Sequence, residues 1–455
     1  MFKRVLVANR GEIAVRIIRA CREMGIHTVA VYSTADRDCL HTHLADESVC
    51  IGPPDPAESY LKVSSIIAAA EVADVQAIHP GYGFLSENAR FAGICRDCKL
   101  VFIGPSPEAL ALSGDKAACR MAVRRAGVTV APGSEGVVSD PRQVAETARS
   151  LGYPVLVKAA LGGGGRGMRV AHNESSLKHA VAMAASEAEA AFGGGGVYIE
   201  KFIEDARHIE VQILADHHGK TAALGERECT IQRRHQKLIE ETPGTALTPA
   251  LRSRMVKAAL RAARAIGAVN AGTAEFLLAP DGEFYFIEFN PRIQVEHTVT
   301  EEVTGIDLVR EQIRVAAGEP LGHTQAETSG AAIQARVCAE DPEQGFRPNP
   351  GIIGRCHLPG GPGIRVDTHI FPGYEVPRHY DSLLAKIIAR GRTRAEAAAR
   401  LAGALDEFYT EGVRNNAAFC ARILRGAPFL RGDITPGLLD VYMGRPEERA
   451  QGAGP

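Results

Sequence analysis

Charged and amide side chains crowd the end of a strand-like segment late in the chain. Glu288-Phe289-Asn290-Pro291-Arg292-Ile293-Gln294-Val295-Glu296-His297 follows directly on Phe284-Tyr285-Phe286-Ile287. Side chains alternate across a strand, so Tyr285, Ile287 and Phe289 are expected on one face and Glu288 and Asn290 on the other. If the chain stays extended past Pro291, then Arg292, Gln294 and Glu296 continue that second face. One edge would then carry two carboxylates, two carboxamides and a guanidinium against an aromatic core strand. Unpaired charge at such a place costs several kcal/mol, so a strand needing only burial would not end this way. Oxygen ligands beside a fixed cation suit Mg²⁺ held with substrate phosphates. The alternative is a solvated strand end with surface ion pairs.

The preceding segment adds a third acid. Thr273-Ala274-Glu275-Phe276-Leu277-Leu278 reads as a strand, and Ala279-Pro280-Asp281-Gly282 as a tight turn. The resulting antiparallel hairpin brings Glu275 within a rung or two of Glu288, with the register open. Glu275, Glu288 and Asn290 form a candidate metal-ligand set whose hard oxygen chemistry favours Mg²⁺ or Mn²⁺ over zinc.

Other segments could bind phosphate or anions. Lys158-Ala159-Ala160-Leu161-Gly162-Gly163-Gly164-Gly165-Arg166-Gly167-Met168 follows the strand Val155-Leu156-Val157. Its glycines let backbone N–H groups approach phosphate oxygens. It is not a P-loop, because Met168 and Arg169 stand where Lys and Ser/Thr belong. A flexible surface loop is the alternative, which Lys158 at the strand end disfavours. Lys116 alone reads as a solvated charge. Glu200-Lys201-Phe202-Ile203 leaves a strand and can offer backbone groups to an adenine edge, or be an ordinary amphipathic strand. Gln232-Arg233-Arg234-His235-Gln236-Lys237 reads first as a basic surface loop. Arg336 sits inside a strand pattern, where a guanidinium needs an anionic partner.

The elements that position these groups are those of a soluble α/β protein. The chain has 455 residues, 45% apolar and 23% charged, with a net charge of −2 and no basic stripe. That balance argues against nucleic acid as the main partner. No apolar run approaches a membrane span, and the N-terminus is no signal peptide, so a cytoplasmic protein is expected. Ten Cys, with only Cys95 and Cys98 as a C-x-x-C pair, read as reduced structural thiols. The first hundred-odd residues alternate strand and helix as in a parallel α/β sheet. They include a Gly/Pro-punctuated strand end at His79-Pro80-Gly81-Tyr82-Gly83. A single helical linker is expected from Ala109 to Ala126. A smaller unit with two glycine-rich turns, Gly162 to Gly165 and Gly193 to Gly196, suggests a mobile lid. Beyond Ala331 the pattern is largely β.

Taken in order, these motifs resemble the ATP-grasp biotin carboxylases. The matching segments are Gly114-Asp115-Lys116, Lys158 with its glycine run, Glu200-Lys201, Gln232 to Lys237 and Glu288 to His297. Ala8-Asn9-Arg10-Gly11-Glu12-Ile13-Ala14, Ala77 to Asn88 and Ala339-Glu340-Asp341-Pro342 match too, so that the resemblance covers residues 1 to about 446. It implies a Rossmann-like N-terminal domain (1–114) and an ATP-grasp region (115–330). The latter divides into a helical linker (115–130), a lid (131–203) and a large half (204–330). A C-terminal mixed β domain (331–446) and a tail (447–455) complete the chain.

The resemblance further implies that MgATP is held by Lys116, Lys158, Gly164, Gly165, Glu200, Lys201, Phe202, Ile203, His208, Gln232, His235 and Leu277 or Leu278. Glu275, Glu288 and Asn290 would hold Mg²⁺. Arg292, Gln294, the Val295 backbone and Lys237 would hold bicarbonate, with Glu296 as base. Arg336 would face the biotin ureido oxygen near Tyr82, Gly83 and His235. Gln334, Cys338, Thr298 and Leu161 depart from the family pattern, and none replaces a residue in a catalytic role. With no Met-Lys-Met attachment motif, biotin is expected on a separate carrier protein, alongside carboxyltransferase subunits and in a homodimer. Acetyl-CoA carboxylation is the expected pathway; propionyl-CoA, pyruvate or urea as acceptor, or a different ATP-grasp ligase, are the alternatives.

Overall fold

A computed structural model describes residues 1–134, 136–138, 140–159, 168–192, 197–322 and 326–444. The N-terminal part is a five-stranded parallel sheet of β1 (Arg4–Val7), β2 (His27–Ser33), β3 (Glu47–Gly52), β4 (Ala77–His79) and β5 (Val101–Phe102). Its order, β3-β2-β1-β4-β5, places the ends of β1 and β4 side by side in the middle of the sheet. The first helix, Gly11–Glu23, and the segment after His79 both start at that edge, the usual ligand edge of such sheets.

The expected single linker is two helices, Pro107–Gly114 and Lys116–Arg125. Asp115 divides them because its carboxylate accepts from the Ala118 N–H at 3.0 Å and caps the second helix, making Lys116 its first residue. The smaller unit is a three-stranded antiparallel sheet, β6 (Val155–Ala159), β7 (Met168–Ala171) and β8 (Val197–Lys201), covered by helices Pro141–Leu151 and Glu174–Phe192. The glycine runs lie outside the described residues.

The large sheet has eight antiparallel strands. Its members are β9 (Arg207–Ala215), β10 (Thr221–Arg233), β11 (Gln236–Thr242), β12 (Asn270–Leu278), β13 (Phe284–Asn290), β14 (Ala331–Cys338) and the strands Leu383–Gly391 and Ile364–Thr368. The order is β13-β12-β9-β10-β11-β14, then Leu383–Gly391 and Ile364–Thr368. The sheet therefore runs unbroken across residue 331. On one face, Ile209, Val211 and Ile213 of β9 and Ala274, Phe276 and Leu278 of β12 pack on the helix Pro249–Ala265. The other face is left for chemistry.

Three local features depart from the sequence reading. First, the alternation along β13 breaks. Phe276 pairs with Phe286 but Glu275 with Glu288, which leaves Ile287 as an extra residue, a β-bulge. Phe289 consequently joins Phe284 and Phe286 in the core instead of sharing a face with Tyr285 and Ile287. Without the bulge, the parity that buries Phe286 would bury Glu288 too. Second, the chain does not stay extended past Pro291: residues 292–296 turn, and a helix begins at His297. Third, Gln232 to Lys237 is not a loop but the join of β10 and β11. Arg233 pairs with Gln236, and Arg234 and His235 take φ of 47° and 65°, a two-residue turn of the primed kind.

The bulge brings Phe289 over Gly272, where an added Cβ would stand 2.5 Å from the ring and 3.2 Å from the Asn290 carbonyl. Gly272→Ala should lower stability by about 1–3 kcal/mol, measured as a shift of the urea midpoint. An unchanged midpoint would show that the packing yields freely there.

Candidate active site

Adjacent strands line up three acids. Glu275 of β12 pairs with Glu210 of β9 on one side and with Glu288 of β13 on the other. Like charges opposite one another destabilise a sheet, so the face needs cations. Lys237, from the β11 end of the hairpin, donates to Glu210 at 2.6 Å, Glu275 at 2.9 Å and Glu296 at 2.6 Å. All three ammonium protons are used. Arg227 of β10, fully buried opposite Glu210, uses all five of its N–H groups. They go to Glu210 (2.5 Å), Gln212 (2.6 Å), Thr300 (3.0 Å), Thr273 (3.2 Å) and Gln294 (2.8 Å). The Gln294 amide in turn donates to Glu275 at 2.8 Å.

Charge pairing sets the protonation states. Burial, the largest single influence, would raise the pKa values of Glu210, Glu275 and Glu296. Lys237, together with Arg227 and His208 at Glu210, His208 at Glu275, and Arg336 and Arg227 at Glu296, instead holds all three below the usual range. His208 lies 3.3 Å from Glu275 and 3.5 Å from Glu210. Burial would lower its pKa, yet the Glu275 charge lifts it to about 9. His208, Glu210 and Glu275 thus form a close cluster in which the imidazole stands between two carboxylates.

The turn 292–296 supplies the rest. Glu296 accepts from Lys237 on one oxygen and from Arg336 Nη2 at 2.9 Å on the other. Arg336 Nε binds Glu240 at 2.5 Å, so its anionic partners are two glutamates. Arg292 stands 3.0 Å from Glu87 of the N-terminal domain and donates to Asn290 Oδ1 at 3.2 Å. Asn290 Nδ2 is buried without a hydrogen bond among the described residues. Lys116 is 3.8 Å from Glu288, whose carboxylate is about one-third exposed. Glu275, Glu288 and the Asn290 carbonyl give oxygen donors on neighbouring rungs, a set that fits Mg²⁺ or Mn²⁺.

Lys158 and Arg120 both pair with the buried Glu200 carboxylate. Lys201 donates to the Gly152 and Tyr153 carbonyls at 3.0 and 3.1 Å. Glu200 and Lys201 thus spend their side chains on neighbouring segments, and the Lys201 and Phe202 N–H groups donate to the Pro132 and Pro154 carbonyls at 2.7 and 3.2 Å. Gln232 donates to the Cys229 carbonyl at 2.8 Å, and His235 is exposed at the hairpin turn. Leu277 is on the Glu275 face, whereas Leu278 is in the core. The Tyr82 hydroxyl donates to Glu12, next to Gly83 at φ 70°. Gly164, Gly165 and Leu161 lie outside the described residues.

Sequence reasoning missed Glu210, Arg227, Glu240, Glu87 and Arg120. Only Glu210 carries a clear signal, the alternation His208-Glu210-Gln212 against Ile209-Val211-Ile213.

Three family models match in chain order: the biotin carboxylase N-terminal domain over residues 1–110, the ATP-binding domain of the carbamoyl-phosphate synthase L chain over 115–324, and the biotin carboxylase C-terminal domain over 334–441. The chain belongs to the biotin carboxylase family. It is 53% identical to a biotin carboxylase of Nostoc sp., over 95% of this chain and 98% of that one. A Campylobacter jejuni biotin carboxylase solved as a βγ-ATP complex superposes with a TM-score of 0.95 at 44% identity, over 97% of this chain and 99% of that one. The biotin carboxylase domain dimer of Hydrogenobacter thermophilus 2-oxoglutarate carboxylase, solved with MgADP, ADP and bicarbonate, gives 0.94 at 45% identity, over 97% and 98%. The chain is accordingly an ATP-dependent carboxylase. Two departures from the usual biotin carboxylase pattern touch each other: Thr298 donates to Gln334, whose amide donates to Glu240 at 3.0 Å, behind Arg336. Cys338, the third, is half-buried at the end of β14 and makes its backbone bond to Asn416.

His208 gives a pH test. Its folded pKa of about 9 exceeds the ordinary 6.5, so its contribution is complete below about pH 6.5 and fades as pH rises to about 9. The loss should be on the order of 3 kcal/mol. Urea unfolding at pH 6 and pH 9.5 should show this decline, and His208→Gln should reduce it. An equal decline in both proteins would exclude His208 as its source.

Proposed function

We propose that the site performs the MgATP- and bicarbonate-dependent carboxylation of biotin, carried on a separate biotin carboxyl carrier protein, through carboxyphosphate. One observation carries this reading: a single buried carboxylate, Glu296, is bonded at once by Lys237 at 2.6 Å and Arg336 at 2.9 Å. Base, anion-binding cation and biotin-side guanidinium meet there.

Bicarbonate is a poor nucleophile until it loses its proton. Glu296, held ionised, takes that proton. The proton cancels the charge that engages one Lys237 N–H, which frees that donor as the dianion appears. Arg292 supplies the second positive charge, the Val295 N–H a backbone donor, and Gln294, clamped between Arg227 and Glu275, shapes the pocket. A bicarbonate oxygen then attacks the γ-phosphorus of ATP in line, breaking its bond to the bridging oxygen and expelling ADP. Lys116, Lys158, Gly164, Gly165, Glu200, Lys201, Phe202, Ile203, His208, Gln232, His235 and Leu277 hold the nucleotide. Glu275, Glu288 and Asn290 would hold Mg²⁺ or Mn²⁺, which when bound offsets charge on the phosphates. Carboxyphosphate breaks down to CO₂ and phosphate; the phosphate removes the ureido N–H proton, and the nitrogen takes up CO₂. Arg336 stabilises the enolate-like ureido oxygen, with Tyr82, Gly83 and His235 around the ring. The unit 131–203 closes over the site and excludes water from carboxyphosphate.

The half-reaction most simply serves acetyl-CoA carboxylation in fatty acid synthesis, with carboxyltransferase subunits, in a cytoplasmic homodimer. Among the described residues no helix is long and apolar enough to cross a membrane. A second reading, the same half-reaction for another acceptor, is favoured by the likeness to a domain of 2-oxoglutarate carboxylase. Reconstitution with carrier and carboxyltransferase from the same genome, offered each acceptor in turn, separates the two.

ATP hydrolysis with Mg²⁺ should depend on bicarbonate and rise with free biotin; turnover indifferent to both would sink the carboxylase reading. Arg292→Ala and Glu296→Gln should each lower bicarbonate-dependent turnover by about 10²-fold or more, while nucleotide binding by calorimetry stays near the parent value. Lost nucleotide binding would mean that these roles are misassigned. Light scattering at micromolar concentration should give twice the chain mass, and a monomer would contradict the dimer.

A further inference from the structure

Lys386, in the middle of the strand Leu383–Gly391, is fully buried and far in sequence from every site residue. Its ammonium stands 3.0 Å from Glu12 Oε2, donates to the Val295 carbonyl at 3.1 Å and lies 3.8 Å from Asp367. Asp367 is chiefly engaged by Arg365, at 2.8 Å. Glu12 is itself buried and accepts from Tyr82 on its other oxygen. One ammonium thus joins the first helix, the segment after β4, the C-terminal strand and the turn 292–296.

A buried ammonium is costly unless it is paired and fully bonded, and an apolar side chain would fill this space at lower cost. Its bond to Val295 gives the charge a use. A trans peptide points its N–H opposite its C=O. Lys386 anchors the Val295 carbonyl, while the neighbouring Gln294 carbonyl is held by His297, from its N–H at 3.2 Å and its ring Nδ1 at 2.7 Å. With these two carbonyls tied down, the Val295 N–H is turned away from His297 and the Glu296 N–H away from Lys386.

We infer that Lys386 is a positioning residue for the anion-binding turn: it fixes the Val295–Glu296 peptide, and Glu12 compensates its charge. This rests on the reading that residues 292–296 bind bicarbonate. Lys386 touches no substrate, so its loss should appear in the KM for bicarbonate and not in that for ATP.

Lys386→Met alone would strand Glu12, so the test uses Lys386→Met/Glu12→Gln, which removes both charges, beside Glu12→Gln, which keeps the bond to Val295 and leaves Asp367, 3.8 Å away, as the ammonium's counter-charge. Bicarbonate-dependent ATP hydrolysis is measured for each, with urea unfolding alongside. The double variant should raise the bicarbonate KM about tenfold or more and leave the ATP KM within about twofold; Glu12→Gln should stay within about threefold of the parent. A parent-like bicarbonate KM in the double variant, or an equal rise in Glu12→Gln, overturns the inference. Should the double variant fail to fold, Lys386→Leu/Glu12→Gln, which likewise lacks a donor to Val295, is read the same way. A parent protein whose ATP turnover ignores bicarbonate would instead overturn the reading of the turn itself.

Discussion

Glu210, Glu275 and Glu296 can share one small buried space because the Lys237 ammonium stands between them, with Arg227 on Glu210, His208 beside Glu275 and Arg336 on Glu296. Two charges about 4 Å apart repel by roughly 4 kcal/mol at an effective dielectric near 20. Three unrelieved pairs would rival the whole stability of a domain, about 5–15 kcal/mol. Lys237 turns this repulsion into three charge-assisted bonds and holds the acids ionised. The rest of the architecture follows from keeping that arrangement in place. The primed turn at Arg234-His235 delivers Lys237, the helix Pro249–Ala265 supports the strands from behind, and the bulge at Ile287 adds Glu288 on the same side.

Two cations divide the work. Arg227 is fully buried and saturated by five acceptors, so it fixes geometry: Glu210, Gln212, Thr273, Gln294 and Thr300 cannot shift independently of it. Lys237, on a flexible stem with point-charge donors, can exchange partners. A rigid guanidinium beneath a labile ammonium suits a site where charge must appear on a substrate during the reaction without the walls moving.

Much of this was legible in the sequence, and the limits have physical causes. The hairpin around Ala279 to Gly282 and the approach of Glu275 to within a rung or two of Glu288 follow from turn chemistry and alternation. The bulge does not, because β-bulges leave no compositional mark; one extra residue moved Phe289 to the core. The Arg234-His235 turn lacks the Asn-Gly signal that normally marks a primed turn, so a hairpin read as a basic loop. Arg227 sits in Gly225-Glu226-Arg227-Glu228-Cys229-Thr230, a run too polar to suggest a buried strand. It is buried because its partners come from β9, β12 and the segment after Pro291, which no local pattern reveals. Glu240 was invisible for the same reason, its partner Arg336 lying 96 residues away.

The unbroken sheet has a consequence for how this chain can be divided. β11 and β14 pair through Ile239 with Ala335, Glu240 with Gln334, Glu241 with Ile333 and Thr242 with Ala332. That seam also carries the Glu240–Arg336 ion pair, so the junction between the ATP-binding and C-terminal regions is at once a row of backbone hydrogen bonds and a wall of the reaction chamber. A polypeptide split near residue 330 would leave two pieces with complementary open strand edges and opposite charges two rungs apart. Such pieces are suited to find each other and rebuild one catalytic unit, whereas neither alone holds a complete one.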